Sequence, residues 1–406
     1  MNAPRICLIT PGHLSSTPRL VKEANTLHAA GFSVRVVAAD HFPAVRPLDE
    51  SILAHAPWTC ARVPLGSRPA YLARRLVQIG ARRLVARTAR PSPRLALWAH
   101  QPLAFRLAAA AAAEPADLYL GHCLAGLAAA GLAARRRGAK LGFDAEDFHR
   151  AENHDTPQPD LVALENHWIP ACQHLTAASP LIAEAYAQAC GVAVPPVLLN
   201  VFGLDEAPKV QAPPPDRPSL YWFSQTVGPG RGLEALVEAL GLVRTPCDLH
   251  LRGLPAGDFP ARLTALAHSV GFRGRLEFHP LANPASMISL AAAHTLGLSL
   301  EQSTPRNRDL CLTNKIFTYL LAGTPVLLTP TRAQQRLATD LGEAALVLNF
   351  DRPADTAGKL DAWLASPSRP HAAAHARALG LGRYNWDYEQ ASFLQTLRSA
   401  LAKSAT

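Results

Sequence analysis

The fold of this chain is decided by residues 314–328, which read NKIFTYLLAGTPVLL. Phe317, Leu320 and Leu321 recur at the i, i+3 and i+4 spacing that gives a helix one apolar face. Gly323 is the residue type that most often ends a helix in a left-handed conformation. The apolar run after it is typical of a parallel strand covered on both faces. The stretch therefore predicts a helix followed by a buried strand, as in an α/β sheet.

Length and composition indicate a globular protein with two domains. The chain has 406 residues, 49% of them apolar and 17% charged, and single cores rarely grow beyond about 250–300 residues. No apolar run reaches the roughly 18–20 residues of a membrane span. A predicted strand begins at residue 5, and seven scattered cysteines form no CxxC pair. These features favour a cytoplasmic protein with reduced cysteines and no signal peptide.

Strands and helical segments alternate along both halves of the chain. The predicted strands are residues 5–10, 33–40, 58–64, 117–122, 139–145, 174–179 and 195–200, then 219–224, 247–252, 275–279, 295–300, 325–329 and 344–349. This alternation predicts an α/β fold of two Rossmann-like, doubly wound parallel-sheet domains facing a cleft. Ligands of such sheets bind at the carboxyl ends of the strands.

A proline-rich run at residues 212–218 indicates a stiff linker between the two domains. We expect a first domain at residues 1–205 and a second at residues 206–385. A C-terminal helix at residues 386–406 is expected to pack back toward the first domain.

The net charge of +9 is unevenly distributed. No acidic residue lies between Glu50 and Glu114, an interval that contains ten arginines. Within residues Arg74–Arg94, aliphatic side chains interleave with arginines at helical spacing, which is typical of a helix that docks on an anionic membrane surface or an anionic acceptor. Nucleic acid is the rival anionic partner but is not expected. An ordinary solvated arginine-rich face is the remaining alternative.

The first strand is followed by a loop suited to an anion. Gly12 lets the backbone approach a ligand, while Thr17 and Pro18 have the residue types of an N-cap and a first helical position. The helix N-terminus and Arg19 both favour a negative charge there. The loop lacks the GxGxxG pattern of dinucleotide-binding proteins, and a plain strand-to-helix turn is the alternative.

A second loop of this kind opens the second half. A predicted strand ends at Ser224, Gln225 begins the loop after it, and Gly230, Arg231 and Gly232 lead into a helix. Backbone amides and a guanidinium at a helix start suit a diphosphate, which arginine binds with two parallel hydrogen bonds.

The helix within residues 314–328 adds a second positive charge. It begins with Asn314 and Lys315, so backbone amides and an ammonium group point toward the sheet edge. Glu301 follows the strand at 295–300 and is expected near Lys315. A salt-bridged surface loop is the alternative interpretation.

Polar residues also follow two strands of the first half. His122 ends one predicted strand, and Asp144, Glu146 and Asp147 end the next. Three carboxylates in four residues could bind sugar hydroxyls or transfer protons. Their spacing matches no specific metal-ligand set.

These motifs resemble those of nucleotide-sugar glycosyltransferases of the GT-B type, in particular the large family 4 group. Some branches of that family line the donor site with Asn-Lys-x-Phe-Glu-Tyr-x-x-Ala-Gly-x-Pro, and residues 314–325 match this pattern except at Thr318, which replaces a glutamate that helps hold the donor ribose. Arg231 and Gly232 stand where the family's donor loop has Lys-Gly. Asp144 matches the aspartate of a Tyr-Asp-x-His-Glu motif whose histidine position is Glu146 here.

The resemblance implies transfer of a sugar from a nucleoside diphosphate sugar to a hydroxyl acceptor, either a glycan or a lipid-linked acceptor, in polysaccharide or glycolipid synthesis. It implies retention of configuration, no cofactor and no essential metal, with the first domain on the acceptor side and the second binding the donor. The enzyme would be cytoplasmic or peripheral on the inner face of the cell membrane. The candidate catalytic residues are Asp144, Glu146, Asp147, His122 and Glu301, and the candidate donor-binding residues are Gly12, Ser224, Gln225, Gly230, Arg231, Gly232, Asn314, Lys315 and Thr318.

Two alternatives remain open at this point. A nucleotide-sugar 2-epimerase shares the two-domain architecture and would form product from the donor alone. A catalytically inactive protein that binds a nucleotide sugar or an anionic polymer is suggested by Thr318 in place of the family's glutamate.

Overall fold

A computed structural model describes residues 3–153, 156–209 and 217–402. Contacts divide the chain into two compact units. Unit 1 contains Met1–Leu198, Pro305–Asn307 and Gln390–Thr406, and unit 2 contains Leu199–Thr304 and Arg308–Glu389. Most of the predicted proline-rich linker, residues 212–216, lies outside the described residues.

Unit 1 contains one six-stranded sheet. Its strands are β1 (Arg5–Thr10), β2 (Ser33–Asp40), β3 (Thr59–Pro64), β4 (Leu118–His122), β5 (Lys140–Ala145) and β6 (His174–Ala177). Its main helices are α1 (Pro18–Ala29), α2 (Arg46–Leu53), α3 (Arg68–Val85), α4 (Pro93–His100), α5 (Leu103–Ala111), α6 (Cys123–Arg137), α7 (Pro159–Trp168) and α8 (Pro180–Cys190).

Unit 2 repeats this arrangement. Its strands are β7 (Ser219–Val227), β8 (Asp248–Pro255), β9 (Leu276–His279), β10 (Leu296–Ser299), β11 (Val326–Leu328) and β12 (Ala345–Val347). The helices of unit 2 are α9 (Leu233–Leu242), α10 (Phe259–Ser269), α11 (Met287–Ala291), α13 (Asn314–Ala322), α14 (Arg332–Leu341), α15 (Pro353–Ala365) and α16 (Arg369–Gly382). Two further helices, α12 (Arg306–Leu310) and α17 (Trp386–Ala402), contain residues of both units, and most of α17 belongs to unit 1.

Both sheets have the strand order of a Rossmann fold. The order is β3-β2-β1-β4-β5-β6 in unit 1 and β12-β11-β10-β7-β8-β9 in unit 2, and the paired strands are parallel. This confirms the predicted α/β fold with two Rossmann-like sheets. The order reverses between β1 and β4 in unit 1 and between β7 and β10 in unit 2, and ligands of such folds bind outside the carboxyl ends at this switch point.

One predicted strand does not form, and two strands, β7 and β8 (which ends at Pro255 and not at residue 252), are longer than predicted. Residues 195–200 form no strand but a single parallel bridge between Val197 and Ala177, because Pro195 and Pro196 lack the N–H groups that a ladder needs. Strand β7 continues past Ser224 to Val227, with an irregular register between Phe223 and Thr226.

The helix predicted from the opening stretch is confirmed as α13. Its apolar residues Phe317, Leu320 and Leu321 have no exposed surface, and Gly323 ends it with a left-handed φ of 75°. Tyr319 packs onto Gly297 of β10, where any side chain would collide with its ring. The tyrosine hydroxyl donates to the Tyr221 carbonyl at 2.9 Å, which fixes α13 on the sheet.

Small residues let α6 lie against its neighbours in unit 1. A Cβ on Gly126 would lie 2.7 Å from the Ile9 carbonyl oxygen of β1, and a Cβ on Gly131 would lie 2.1 Å from the Trp168 ring of α7. Atoms cannot approach this closely, so both positions require glycine. The start of α6 is thereby held directly behind the carboxyl ends of β1 and β4.

Replacing Gly131 with alanine should destabilise the protein by about 1–3 kcal/mol, because the added methyl group overpacks the contact with Trp168. The matched control is Gly80→Ala in α3, where an added Cβ meets nothing within 4 Å and the change should stabilise the helix by up to about 1 kcal/mol. Urea denaturation measures both changes. Equal stability of the two variants would contradict the packing of α6 on α7.

Candidate functional site

The loop after β7 is shaped by two glycines with left-handed backbones. Gly230 and Gly232 have φ angles of 69° and 74°, which side-chain-bearing residues rarely adopt. Arg231 stands between them, and Gly232 is the N-cap of α9. The Arg308 guanidinium donates to the Gly230 carbonyl at 3.1 Å. The sequence therefore presents Arg231 at the start of a helix, at the switch point of unit 2.

A carboxylate at the end of β10 is surrounded by cations. Lys315 at the start of α13 forms an ion pair of 2.9 Å with Glu301, and both side chains are largely buried. Burial by itself would raise the pKa of Glu301, but Lys315, with Arg308 and Arg231 nearby, lowers it. Three positive groups therefore surround one carboxylate, and the excess charge can receive an anion.

The N-terminus of α13 adds to this positive potential. Thr313 is its N-cap residue and makes no side-chain cap hydrogen bond, so the cap leaves the first backbone amides of the helix to other partners. Asn314 opens the helix and its carbonyl accepts a hydrogen bond of 3.1 Å from the Thr318 hydroxyl. Because Thr318 is fully buried, its hydroxyl makes this hydrogen bond within α13 and is not exposed to solvent.

The remaining predicted donor-binding residues lie on two different units. Ser224 and Gln225 occupy the irregular stretch of β7, where Gln225 is exposed and Ser224 half-buried. Gly12 follows β1 in unit 1, its amide donates to the Thr10 hydroxyl at 3.0 Å, and a Cβ there would lie 2.9 Å from the Ser16 hydroxyl.

In unit 1 the polar residues at the strand ends form a closed charge cluster. Arg19 of α1 donates two hydrogen bonds to the Asp144 carboxylate, one of them at 2.8 Å and the other from its Nε, and lies 3.6 Å from Glu23. His122 lies 3.1 Å from Glu23 and 3.3 Å from Glu146. The side chains of Arg19, Glu23 and His122 have no exposed surface. The expectation that Arg19 faces an anionic ligand is therefore wrong, because Asp144 on β5 captures it.

The cluster controls the ionisation of its members. Burial would lower the pKa of His122, but Glu23 and Glu146 raise it to about 10. Burial would likewise raise the pKa of Asp144, but Arg19 holds it below its usual value. Burial raises the pKa of Glu23, while the neighbouring His122 and Arg19 oppose this rise. Arg19 and His122 thus face the acidic groups of Asp144, Glu23 and Glu146, in the kind of pairing that buried ions require.

Of the predicted catalytic residues in unit 1, Glu146 and Asp147 lie nearest to the surface. The Glu146 side chain is 23% exposed. Asp147 accepts a hydrogen bond of 2.7 Å from the Asn307 amide, and burial raises its pKa. Asp144 is fully buried, with a further hydrogen bond of 2.6 Å from Thr176. Sequence patterns identified His122 and Asp144 but missed Glu23. Glu23 lies four residues after Arg19, and this helical spacing, at which two side chains meet, could have indicated it.

Glu23, His122 and Asp144 are close enough together to hold a metal ion. A metal does not fit there, because the Arg19 guanidinium already occupies the space beside Asp144 and Glu23. In addition, His122 carries a second positive charge. We therefore interpret the cluster as an ionic network that holds the neighbouring side chains in position.

A groove of about 960 Å³ lies in unit 1 beside this cluster. Its lining combines residues at the ends of β1 and β5 with the basic face of α3, including Pro11, Cys123, Asp147, Arg74, Arg75 and Arg82. Cys123, the first residue of α6, has a φ of 57°, a strained value for a residue other than glycine. Strained backbone of this kind is concentrated at functional sites.

No protein-family model and no curated protein sequence matches this chain. Solved structures do match it over nearly its whole length. HepE from Anabaena, crystallised with UDP and glucose, has a TM-score of 0.71 at 18% identity, with 98% of this chain and 100% of that chain covered. Sucrose-phosphate synthase from Thermosynechococcus elongatus has a TM-score of 0.71 at 14% identity, with 98% and 99% covered.

The chain has the GT-B fold. The resemblance drawn from residues 314–325 and the two loops is therefore confirmed at the level of the fold. A putative UDP-N-acetylglucosamine 2-epimerase from Listeria monocytogenes shares this GT-B architecture, with a TM-score of 0.58 at 13% identity, 99% of this chain covered and 97% of that chain. Among the described helices, none combines the length and apolar character needed to cross a bilayer.

The closed cluster predicts a pH dependence that belongs to His122. A group whose folded pKa is raised stabilises the fold fully below its unfolded pKa of about 6.5. That stability is lost as pH rises toward the folded pKa of about 10. The free energy of unfolding should therefore fall across this range, and urea denaturation at several pH values measures the slope.

The variant His122→Gln isolates this effect from other titrating groups, such as the buried thiols. It should lose about 3–5 kcal/mol near pH 6.5, because it leaves buried carboxylates without their partner, and its slope between about pH 6.5 and 10 should be shallower than in the unchanged protein. The exposed His28 on α1 supplies the control, His28→Gln. Parallel pH profiles of the His122 variant and the unchanged protein would exclude a protonated His122.

Proposed function

We propose that this protein transfers a glycosyl group from a nucleoside diphosphate sugar to a hydroxyl acceptor. The observation that carries the proposal is the group of three cations, Arg231, Arg308 and Lys315, around the single carboxylate Glu301 in unit 2. Departure of a diphosphate develops negative charge that fixed cations and helix amides stabilise without reorganisation. HepE was solved with UDP-glucose, which supports a uridine diphosphate sugar as the donor.

We propose that the donor diphosphate competes with Glu301 for Lys315. In the free protein the ammonium and the carboxylate are paired at 2.9 Å, and an incoming phosphate oxygen offers the ammonium a second anionic partner. Arg231, between two glycines with left-handed backbones, is proposed to bind the other phosphate bidentately. Because protein cations and the α13 amides supply this charge, the proposed reaction needs no essential metal.

The groove in unit 1 is the proposed acceptor site. Four arginines line it, three of them on α3, together with three acidic residues, Asp147, Glu152 and Asp160. The groove therefore offers charged hydrogen-bond donors and acceptors to the hydroxyl groups of an acceptor. Asp147 also lines it and holds an oxygen that can accept a hydrogen bond from the acceptor hydroxyl.

Among the candidate catalytic residues of unit 1, Glu146 is the proposed contact to the transferred sugar. Its carboxylate is partly exposed and is held by His122, whose other nitrogen lies against Glu23. A carboxylate at this position can stabilise the positive charge of an oxocarbenium-like transition state. Asp144 and His122 act in this scheme as positioning residues, since neither reaches the surface. Retention of configuration is part of the proposal.

The second candidate function is 2-epimerisation of a nucleotide sugar. It is favoured by the structural similarity to the putative epimerase from Listeria monocytogenes. Incubation with UDP-sugars in the absence of an acceptor separates the two functions. An epimerase would convert the donor to its epimer, whereas a transferase would leave the sugar intact until a hydroxyl acceptor is added.

Replacing Arg231 with alanine should weaken UDP binding about tenfold to a hundredfold, because a charge-assisted hydrogen bond to phosphate contributes about 1.5–3 kcal/mol. Calorimetric titration of UDP measures the change. The control is Arg273→Ala, which removes an exposed arginine of the same unit. Equal UDP affinity of the unchanged protein and the Arg231 variant would remove Arg231 from the donor site.

A peripheral membrane contact through α3 is a further part of the proposal. Leu72, Leu76 and Ile79 are 52%, 70% and 38% exposed, which is a large apolar exposure for one helix. Arg82 donates to the Ala99 carbonyl at 2.9 Å and Arg74 to the carbonyl of Leu65. The exposed arginines near the end of α3 and just after it, Arg83, Arg87 and Arg90, are thus the ones proposed to meet anionic lipid.

The variant with Arg83, Arg87 and Arg90 changed to glutamine should bind anionic vesicles less well than the unchanged protein, because each basic residue near such a surface contributes about 1 kcal/mol. Added salt should weaken binding of the unchanged protein. Vesicle sedimentation compares it with a charge-matched control in which three exposed arginines elsewhere, Arg136, Arg273 and Arg352, are changed to glutamine. Equal loss in both variants would show that only net charge matters.

A further inference from the structure

Two histidines and a glutamate meet on one face of the unit 2 sheet, outside the proposed donor site. His250 lies on β8, and Glu277 and His279 lie on β9, the edge strand of the sheet. His250 is in register with Glu277, and His279 stands two residues further along β9. Because alternate residues of a strand point to the same face, all three side chains project together.

Three atoms of these residues have the geometry of a metal-ligand set. His250 Nδ1 lies 3.0 Å from His279 Nε2 and 3.6 Å from Glu277 Oε2, and the last two atoms are 3.9 Å apart. The point that is equally distant from these three atoms lies about 2.1 Å from each of them, which is the length of a Zn–N or Zn–O bond. Its mean edge is close to the roughly 3.4 Å that separates two ligands of a tetrahedral zinc ion with such bonds.

We propose that His250, Glu277 and His279 form a binding site for a divalent transition metal of the zinc class. Two imidazoles and one carboxylate are a donor set that zinc uses with water or a substrate in the fourth position. The side chains of His250, Glu277 and His279 are 14%, 38% and 27% exposed. An ion can therefore enter from solvent, and a water molecule can complete its coordination.

The neighbours of the three ligands hold them in place. The His250 ring lies 4.7 Å from that of His294, which stacks on Tyr221 and whose Nδ1 is 3.1 Å from the Ser219 hydroxyl. Arg275 contacts the other oxygen of Glu277, Oε1, at 3.6 Å, which leaves Oε2 for the metal. Contacts of this kind orient metal ligands.

Charge in the surroundings sets the strength of the site. The three ligands carry one negative charge when both imidazoles are neutral, so a divalent ion leaves one positive charge. Arg252 lies close by, but its guanidinium is held by the Tyr221 hydroxyl and the Pro280 carbonyl, both at 2.8 Å. Arg252 and Arg275 oppose a cation, so the expected affinity is lower than that of a closed structural zinc site.

The bound metal would join the edge strand β9 to β8. Edge strands are held by one neighbour only and are the places where sheets open or pair with other chains. A metal that bridges His250 with two residues of β9 therefore stabilises the folded form by mass action. The proposed role is structural, and it is independent of the proposed glycosyl transfer.

Zinc chloride titrated into the full chain, after removal of bound metal by a chelator, tests the proposal. Calorimetry should show one bound zinc ion per chain, and the melting temperature should rise with zinc concentration. His279→Gln and Glu277→Gln should each weaken zinc binding at least about a hundredfold, since loss of even an outer partner costs tenfold to a hundredfold. Cobalt(II) in the same site should give visible absorption bands that both variants lose.

The matched control is His268→Gln, which removes an exposed histidine of α10 in the same unit and should leave zinc binding unchanged. Melting curves without metal verify that each variant folds, and the glutamate variant keeps the test readable if the histidine variant does not. The proposal is overturned if the unchanged protein binds no zinc, if the ligand variants keep its affinity, or if blocking the cysteine thiols abolishes binding while the ligand variants do not.

Discussion

The buried guanidinium of Arg19 is the interaction on which unit 1 depends. A charge without exposed surface is tolerated only when paired and hydrogen-bonded, since the loss of hydration costs several kcal/mol. Arg19 is neutralised by Asp144 of β5 and lies near Glu23, which also contacts His122 at the end of β4. One ionic network therefore connects α1 to the carboxyl ends of two strands. Those ends hold Glu146 and Asp147, so the network also fixes the positions of the polar groups that reach the surface.

The two units have the same strand order but use charge differently at their switch points. In unit 1 the cations and carboxylates neutralise one another in the interior. In unit 2 three cations surround one carboxylate, and Arg231 and Lys315 retain some exposure. A balanced cluster rigidifies the fold, whereas an excess of positive charge attracts an anion. This difference is the physical reason for our proposal that a diphosphate binds in unit 2.

Close approach of backbones is the second condition for these sites. Gly126 allows α6 to approach β1, and Gly297 allows Tyr319 of α13 to lie on β10. Each glycine thus places the start of a helix at a switch point. Helix α6 begins with the strained Cys123, and the first turn of α13 contains Lys315, which pairs with Glu301. Larger residues at either glycine would push the helix, and with it the site, away from the sheet.

Local patterns in the sequence were sufficient for the helix α13, its glycine stop, most strands and the loop with Arg231. Each of these is set by residues within a few positions of one another, through helical spacing, caps and left-handed glycines. The two prolines before Val197 prevented a seventh strand, and this too was readable locally in principle. The roles of Thr318 and Arg19 could not be predicted from local patterns. Burial decides where the Thr318 hydroxyl points, and the Arg19 guanidinium points to Asp144, which lies far away along the chain.

The tertiary structure alone decided which charges meet. Glu23 joins His122 across about a hundred residues, and His250 meets His279 only because β8 and β9 pair in one register. A shift of one residue in that register would turn alternate side chains to the opposite face and separate the cluster. Sequence therefore determined the elements and their order, while the register of strands and the packing of helices determined which side chains form sites.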